Sequence, residues 1–138
     1  MTNPKFLLDA SAIYSLLTEL GHRVFDFIDI FVVLDLTLYE IGNAIWKNYK
    51  RGKVVDIGVV VKVFEELLSL LKRVNIDSEI EGVMRIAVEN NLTFYDASYL
   101  YIAKKYGLKL VTEDRELLKF SETLNIKTLL KELSRKTT

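Results

Sequence analysis

Four acidic residues border apolar runs in this chain, in the order Asp9, Glu40, Asp96 and Asp114. Asp9 in FLLDAS and Asp114 in LKLVTED follow segments with the composition of buried strands. Acids are poor strand formers and are seldom buried without a partner. An acid at the carboxyl end of a core strand therefore caps a turn or belongs to a site. Carboxylates that converge repel one another: at about 4 Å, two unit charges cost roughly 4 kcal/mol at a surface-like dielectric. Such a cluster is tolerated when protons or cations compensate it. A donor set of carboxylates alone suits Mg²⁺ or Mn²⁺.

Each of the four also has an ordinary structural role open to it. Asp9 can cap the helix that follows, a job Ser11 can share. Asp96 occupies the acidic position of a capping box begun by Thr93. Asp114 can cap a short helix, with Thr112 as a competitor. Glu40 can be a solvated helix residue. The group is harder to dismiss than its members, so the elements that position it matter.

The chain has 138 residues, a length that fits one domain over 1–138 and buries roughly two-thirds of the unfolded surface. Half of the residues are hydrophobic, a globular composition. The absence of cysteine excludes a disulfide scaffold, a thiolate metal site and a cysteine nucleophile. A single histidine, His22, leaves little room for a zinc centre or a Ser-His-Asp triad, and its setting in LGHRV is that of a surface loop. A net charge of zero argues against a strongly basic nucleic-acid binder but leaves room for a local patch. The apolar run before Asp9 is too short for a signal peptide, and VVDIGVVVKVF is interrupted by charge and Gly, so no membrane span is expected and the default location is cytoplasmic.

Phe6 to Leu8 and Phe31 to Leu34 are apolar runs of strand length, with a helix from Ser11 to Leu20 between them, stopped by Gly21. Leu38, Ile41, Ile45 and Tyr49 form a helical stripe that ends near Gly52. The segment from Val54 to Leu71 is expected to be helical, with Ile57, Val61, Phe64, Leu68 and Leu71 on one face. Val59, Val63 and Leu70 lie off that face, which calls for deep burial or a subunit interface. Val74 to Ile76 is expected as a short strand. Ser78 to Glu81 has a capping-box pattern opening a helix to about Asn90, and Thr93 to Asp96 opens another to Tyr106. Leu108 to Val111 is expected as a strand, Arg115 to Phe120 as a short helix, Ile126 to Leu129 as a last strand, and the tail SRKTT as frayed. Alternating strands and helices imply an α/β fold with a mostly parallel sheet. In such sheets ligands bind beyond the carboxyl ends of the strands. Asp9 and Asp114 emerge there, Asp96 lies in the first turn of a helix starting on that side, and Glu40 shares a helix face with Asn43 and Lys47.

The segments FLLDASAIYSLL, TLYEIGNAIWK, TFYDASYLYIAKKYG and LKLVTEDREL together resemble the PIN-domain ribonucleases, most closely the VapC-type toxins of toxin–antitoxin pairs. The resemblance covers nearly the whole chain in the right order, with Lys53 to Val74 contributing only generic helix. It implies a three-layer α/β/α sandwich, often dimeric, and an Mg²⁺- or Mn²⁺-dependent endoribonuclease paired with an antitoxin. It places metal ligands on Asp9, Glu40, Asp96 and Asp114, with Ser11, Asn43 and Thr112 in supporting polar positions.

On that basis Asp9, Asp96 and Asp114 hold metal, and Glu40 shares a ligand position or polarises water. Lys47, Lys50, Arg51 and Lys53 after the Glu40 helix, and Lys104 and Lys105 ending the Asp96 helix, are candidate RNA contacts against the alternative of a solvated face. Tyr14, Trp46 and Tyr99 are candidate stacking platforms against the alternative of core packing. The main rival is a PIN-like protein-interaction module with weak or no catalysis. A phosphoryl-accepting receiver domain fits poorly, because LVTED ends in an acid where that chemistry needs Lys.

Overall fold

The computed structural model describes residues 3–136. Five strands make one parallel sheet: β1 (Phe6–Leu8), β2 (Phe31–Leu34), β3 (Lys72–Val74), β4 (Lys109–Val111) and β5 (Thr123–Leu124), in the order β3-β2-β1-β4-β5. The helices are α1 (Ala10–Leu20), α2 (Asp35–Lys50), α3 (Ile57–Leu70), α4 (Ile80–Asn90), α5 (Phe94–Tyr106) and α6 (Ile126–Lys136). Strands buried on both faces read as unbroken apolar runs, which is why FLL and FVVL were legible. Leu7, Val32, Leu34 and Leu110 pack towards α5 on one side. Phe6, Leu8, Phe31, Val33 and Val111 pack towards α1, α2, α3 and α6 on the other. The result is the expected three-layer α/β/α sandwich, with α4 laid over α5.

Several boundaries differ from expectation, each for a local reason. Ile126 to Leu129 is helix rather than strand. Asn125 caps it by accepting from the Thr128 N–H, and Glu113 accepts from the Ile126 N–H. Ile126, Leu129 and Leu133 are buried at helical spacing, a period visible only when the run is extended into KELSRK. The last strand is Thr123–Leu124 instead. Residues 134–136 of the polar tail continue α6 rather than fray, and residues 137–138 lie outside the described residues. β3 lies two residues before the expected Val74 to Ile76, in register with β2. α3 starts at Ile57, where Asp56 accepts from the Val59 N–H, so Val54 and Val55 are excluded.

Gly21–Ile30, unassigned in sequence, is a 3-10 segment holding the exposed His22, and only Leu117–Lys119 of the expected helix at Arg115 to Phe120 is helical, also as 3-10. Ser78 does not cap α4. It takes a left-handed φ of 64°, and the carboxylate of Glu79 pairs across to Lys105 on α5. Deep burial of α3 is also not what the chain does: Val59, Val63 and Leu70 are all exposed. No helix among the described residues is long and apolar enough to cross a membrane.

α4 and α5 approach closely at Gly82, where an added Cβ would sit 2.5 Å from Cε1 of Tyr101. Gly82→Ala should therefore destabilise the protein although Ala is the better helix former. Overpacking of about 1–3 kcal/mol exceeds the propensity gain of about 1 kcal/mol. A lower urea midpoint, relieved in a Gly82→Ala/Tyr101→Leu double variant, is the expected result.

Candidate active site

Chain order reverses across the sheet between β1 and β4. From β1 the chain moves outward through β2 to β3, then returns to lay β4 on the other side of β1. Such a switch point leaves a crevice at the carboxyl ends of the two strands. Leu8 pairs with Val111 at that edge, and the ladder extends to Asp9, whose N–H donates to the Val111 carbonyl at 3.3 Å. Asp9 and the loop 112–114 are therefore adjacent by construction.

Asp9 caps α1 and is only 8% exposed. Its Oδ1 accepts from the Ala12 N–H at 2.9 Å and from the Ser11 hydroxyl at 2.7 Å. Its Oδ2 accepts from the fully buried Thr112 hydroxyl at 2.5 Å. Thr112 Oγ1 accepts in turn from the Asp114 N–H at 3.0 Å, and Ser11 Oγ accepts from the Glu113 N–H at 3.0 Å. The two hydroxyls thus fasten the β4 loop to the end of β1. Asp114 does not cap the short 3-10 helix, whose N-cap is Glu116. It accepts from the Glu116 N–H at 2.8 Å in the turn that leads into it. Asp96 lies half-buried in the first turn of α5, whose N-cap Thr93 accepts from the Asp96 N–H at 3.1 Å.

Glu40 reaches this edge from α2, in the opposite layer to α5. Tyr99, one turn after Asp96, is 1% exposed and donates its hydroxyl to Glu40 Oε1 at 2.5 Å. The buried Thr37 hydroxyl lies 2.7 Å from the Tyr99 oxygen and accepts from the Leu34 N–H at 3.1 Å. A phenol has one proton to give. The chain of donors therefore runs from Leu34 N–H through Thr37 and Tyr99 to Glu40, joining the two helical layers across the sheet end. Neither Thr37 nor this use of Tyr99 was read from the sequence. The available signal was a Thr three residues before Glu40 and a Tyr three after Asp96. Tyr99→Phe keeps the ring and removes the link, and should lower stability by about 1–3 kcal/mol in chemical denaturation, because a buried hydroxyl and a carboxylate each lose a partner.

The carboxylates act on one another. Burial, then the charges of Asp114 and Asp9, hold Asp96 above the usual carboxylate range. Burial raises Glu40 as well, opposed by the Tyr99 hydrogen bond and assisted by Asp9 and Asp96. Burial also raises Asp9, against its Ser11, Thr112 and Ala12 hydrogen bonds, with Asp114 adding to the rise. The Tyr99 phenol is pushed up by burial and by Glu40. All four acids are thus in one electrostatic neighbourhood. Among the described residues, however, no three acidic or histidine side chains are already arranged as an ion's ligand group.

The other singled-out residues separate by position. Asn43 is exposed one turn beyond Glu40 on α2. Lys47, Lys50, Arg51 and Lys53 are exposed, and Lys50 lies about 15 Å along α2 from Glu40. Lys104 and Lys105 end α5, with Lys104 about 12 Å from Asp96 along the axis and Lys105 paired with Glu79. Tyr14 is a core residue rather than a stacking platform: its ring lies 4.7 Å from that of Phe64, and its buried hydroxyl has no hydrogen-bond partner. Tyr99 is equally inaccessible to a base, whereas Trp46 is 55% exposed beside a groove between α2 and α3.

Comparison with known proteins agrees with this architecture. The PIN domain sequence model matches residues 6–123, a span that holds all four acids. Exonuclease VapC9 of Pyrobaculum aerophilum is 42% identical over 135 residues, covering 94% of this chain and 96% of that protein. Ribonuclease VapC3 of the same organism is 33% identical over 121 residues, covering 82% and 92% respectively. The crystal structure of PAE2754 from Pyrobaculum aerophilum superposes with a TM-score of 0.86 at 40% identity, over 96% of this chain and 90% of that one. A DNA-bound VapBC from Salmonella typhimurium shares the fold at a TM-score of 0.64 and 19% identity, over 89% and 98% of the two chains. With the sheet order, the acid-bearing strand ends and the sequence match in agreement, the chain belongs to the PIN domain family.

Proposed function

We propose that this chain, as a single domain over residues 1–138, is a divalent-metal-dependent endoribonuclease and the toxin of a toxin–antitoxin pair, acting in the cytoplasm. The observation that carries the proposal is the gathering of Asp9, Glu40, Asp96 and Asp114 at one edge of the sheet, with Asp9 buried against the β4 loop and Glu40 held there by Tyr99. A fold that gathers acids without a compensating base is built for a cation. Asp9, Asp96 and Asp114 are the residues that would hold Mg²⁺ or Mn²⁺. Such an ion supplies Lewis acidity and lowers the pKa of bound water. Asp9 is the fixed member, immobilised by its hydrogen bonds to Ser11, Ala12 and Thr112. Asp96 and Asp114 would supply the further carboxylate oxygens, Asp114 with one of its own already accepting from the Glu116 N–H. Tyr99 fixes one oxygen of Glu40, so the other oxygen is the one positioned to orient a water. Asn43 and Thr112 support this arrangement, and Lys47, Lys50, Arg51 and Lys104 extend it as contacts for the RNA backbone.

The names of the relatives support nuclease chemistry, one naming exonucleolytic mode and the other RNA as substrate. A solved toxin–antitoxin complex from Klebsiella pneumoniae also shares the fold, with a TM-score of 0.61 at 17% identity over 87% of this chain and 96% of that one. We assign an antitoxin and a second copy of this chain as partners, the exposed Val59, Val63 and Leu70 of α3 being apolar surface for a protein contact. The second reading, a non-catalytic interaction module, has in its favour that no three acids among the described residues are yet arranged as ligands. A covalently closed circular RNA separates the possibilities. The expected result is linearisation in Mn²⁺ and none in EDTA. Shortening of linear RNA with the circle intact would replace endonucleolytic by exonucleolytic cleavage, and no cleavage of either would leave the interaction module.

A further inference from the structure

We propose that the cleft between Tyr39 and Tyr95 is a nucleobase subsite beside the carboxylates, an inference that rests on the ribonuclease reading. The cleft has a volume of about 210 Å³ and is lined by both tyrosines with Leu34, Leu36, Ile76 and Phe94. The chain buries Tyr99 to 1% exposure, yet leaves Tyr39 80% and Tyr95 61% exposed. Neither belongs to the hydrophobic core, so core packing does not account for them. Tyr39 precedes Glu40 and Tyr95 precedes Asp96, each pair with Cα atoms about 3.8 Å apart. The two tyrosines come from α2 and α5, on opposite layers, and both line the cleft beside Leu34 at the carboxyl end of β2. A base held there lies at the carboxyl edge of the sheet, one strand from β1 and its Asp9.

The lining chemistry selects the base rather than the phosphate. Among the described residues no Lys, Arg or His lines the cleft, and Asp35 does. An anion is repelled there, whereas an uncharged aromatic ring is accepted by apolar walls and exposed tyrosine faces. The volume suits one ring system and excludes a partner helix, which is about 10 Å across. Stacking on aromatic side chains tolerates any base, so the subsite sets the position of the cut more than its sequence.

The test is fluorescence anisotropy of a labelled single-stranded oligoribonucleotide with the full chain in EDTA, where nothing is cut. The Tyr39→Ala/Tyr95→Ala variant should bind about tenfold to hundredfold more weakly than the parent. The Tyr39→Phe/Tyr95→Phe variant should bind nearly as the parent, and both should melt with it because the side chains are exposed. Equal binding by the Ala variant, no measurable binding by the parent, or equal losses in the Phe and Ala variants would each overturn the subsite. Cleavage of the same RNA by the parent in Mn²⁺ reports separately on the ribonuclease reading.

Discussion

Asp96→Asn should reduce RNA cleavage by about three orders of magnitude while leaving the metal-free protein as stable as the parent or slightly more so. The loss of activity follows from removing one anionic donor of the proposed cation site, where metal assistance contributes several kcal/mol and each 1.36 kcal/mol is about tenfold in rate. The stability effect has the opposite sign. Asp96 is raised by burial and then by Asp114 and Asp9, so its charge opposes the fold. An amide relieves that repulsion by up to about 1 kcal/mol, the solvent-screened scale for a group this exposed. Asp9→Asn should be equally inactive but not stabilised. Its Oδ2 accepts the Thr112 hydroxyl proton, and an amide nitrogen there presents a donor to a donor. Cleavage rates and thermal midpoints of the two variants, measured together, separate a functional cluster from a set of helix caps. Caps alone would leave cleavage unchanged at both positions, since Asn caps a helix about as well as Asp.

The second large effect is on stability as a function of pH and metal. Asp9, Glu40 and Asp96 are all held above the usual carboxylate range, first by burial and then by one another's charges. The folded state therefore binds protons on these groups more tightly than the unfolded chain. Their contribution is most favourable in acid, where they are protonated. It is lost as pH rises from the unfolded carboxylate range, about 4, through the raised folded values. Above those raised folded values the metal-free protein carries the full penalty. Mn²⁺ at about 100 times its dissociation constant should add about 2.7 kcal/mol there, about 10 °C for a chain of this size. The gain should vanish in acid, where protons occupy the same oxygens. Differential scanning fluorimetry from pH 4 to 8, with EDTA and with Mn²⁺, measures both arms. Asp96→Asn should flatten the pH dependence, and an Mn²⁺ shift persisting in that variant would place the cation elsewhere.

What could be read from sequence was what local composition determines. FLL and FVVL are apolar without interruption because both faces are covered, and TFYDASY announces its helix through Thr93. The acids were legible because a charge at the end of such a run is anomalous. Less visible was anything decided by contacts distant in sequence. Tyr99 looks like a core aromatic or a stacking platform until its hydroxyl is found on Glu40, 59 residues away. The Ile126 to Leu129 run has strand length and composition, and becomes helix because Asn125 and Glu113 satisfy its first N–H groups. Ser78 to Glu81 matches a capping box, but Glu79 is drawn to Lys105 of another helix. The basic residues cluster in sequence, whereas α2 and α5 carry most of them away from the acids along their axes.

The central claim is that the acids at the β1–β4 switch point bind a cation that cleaves RNA. Calorimetric titration of Mn²⁺ into the metal-free protein and into Asp96→Asn tests it most directly, run beside RNA cleavage by the same samples. The expected result is saturable binding and Mn²⁺-dependent cleavage by the parent, with both lost or strongly weakened in the variant. Unchanged Mn²⁺ binding and unchanged cleavage by Asp96→Asn would contradict it.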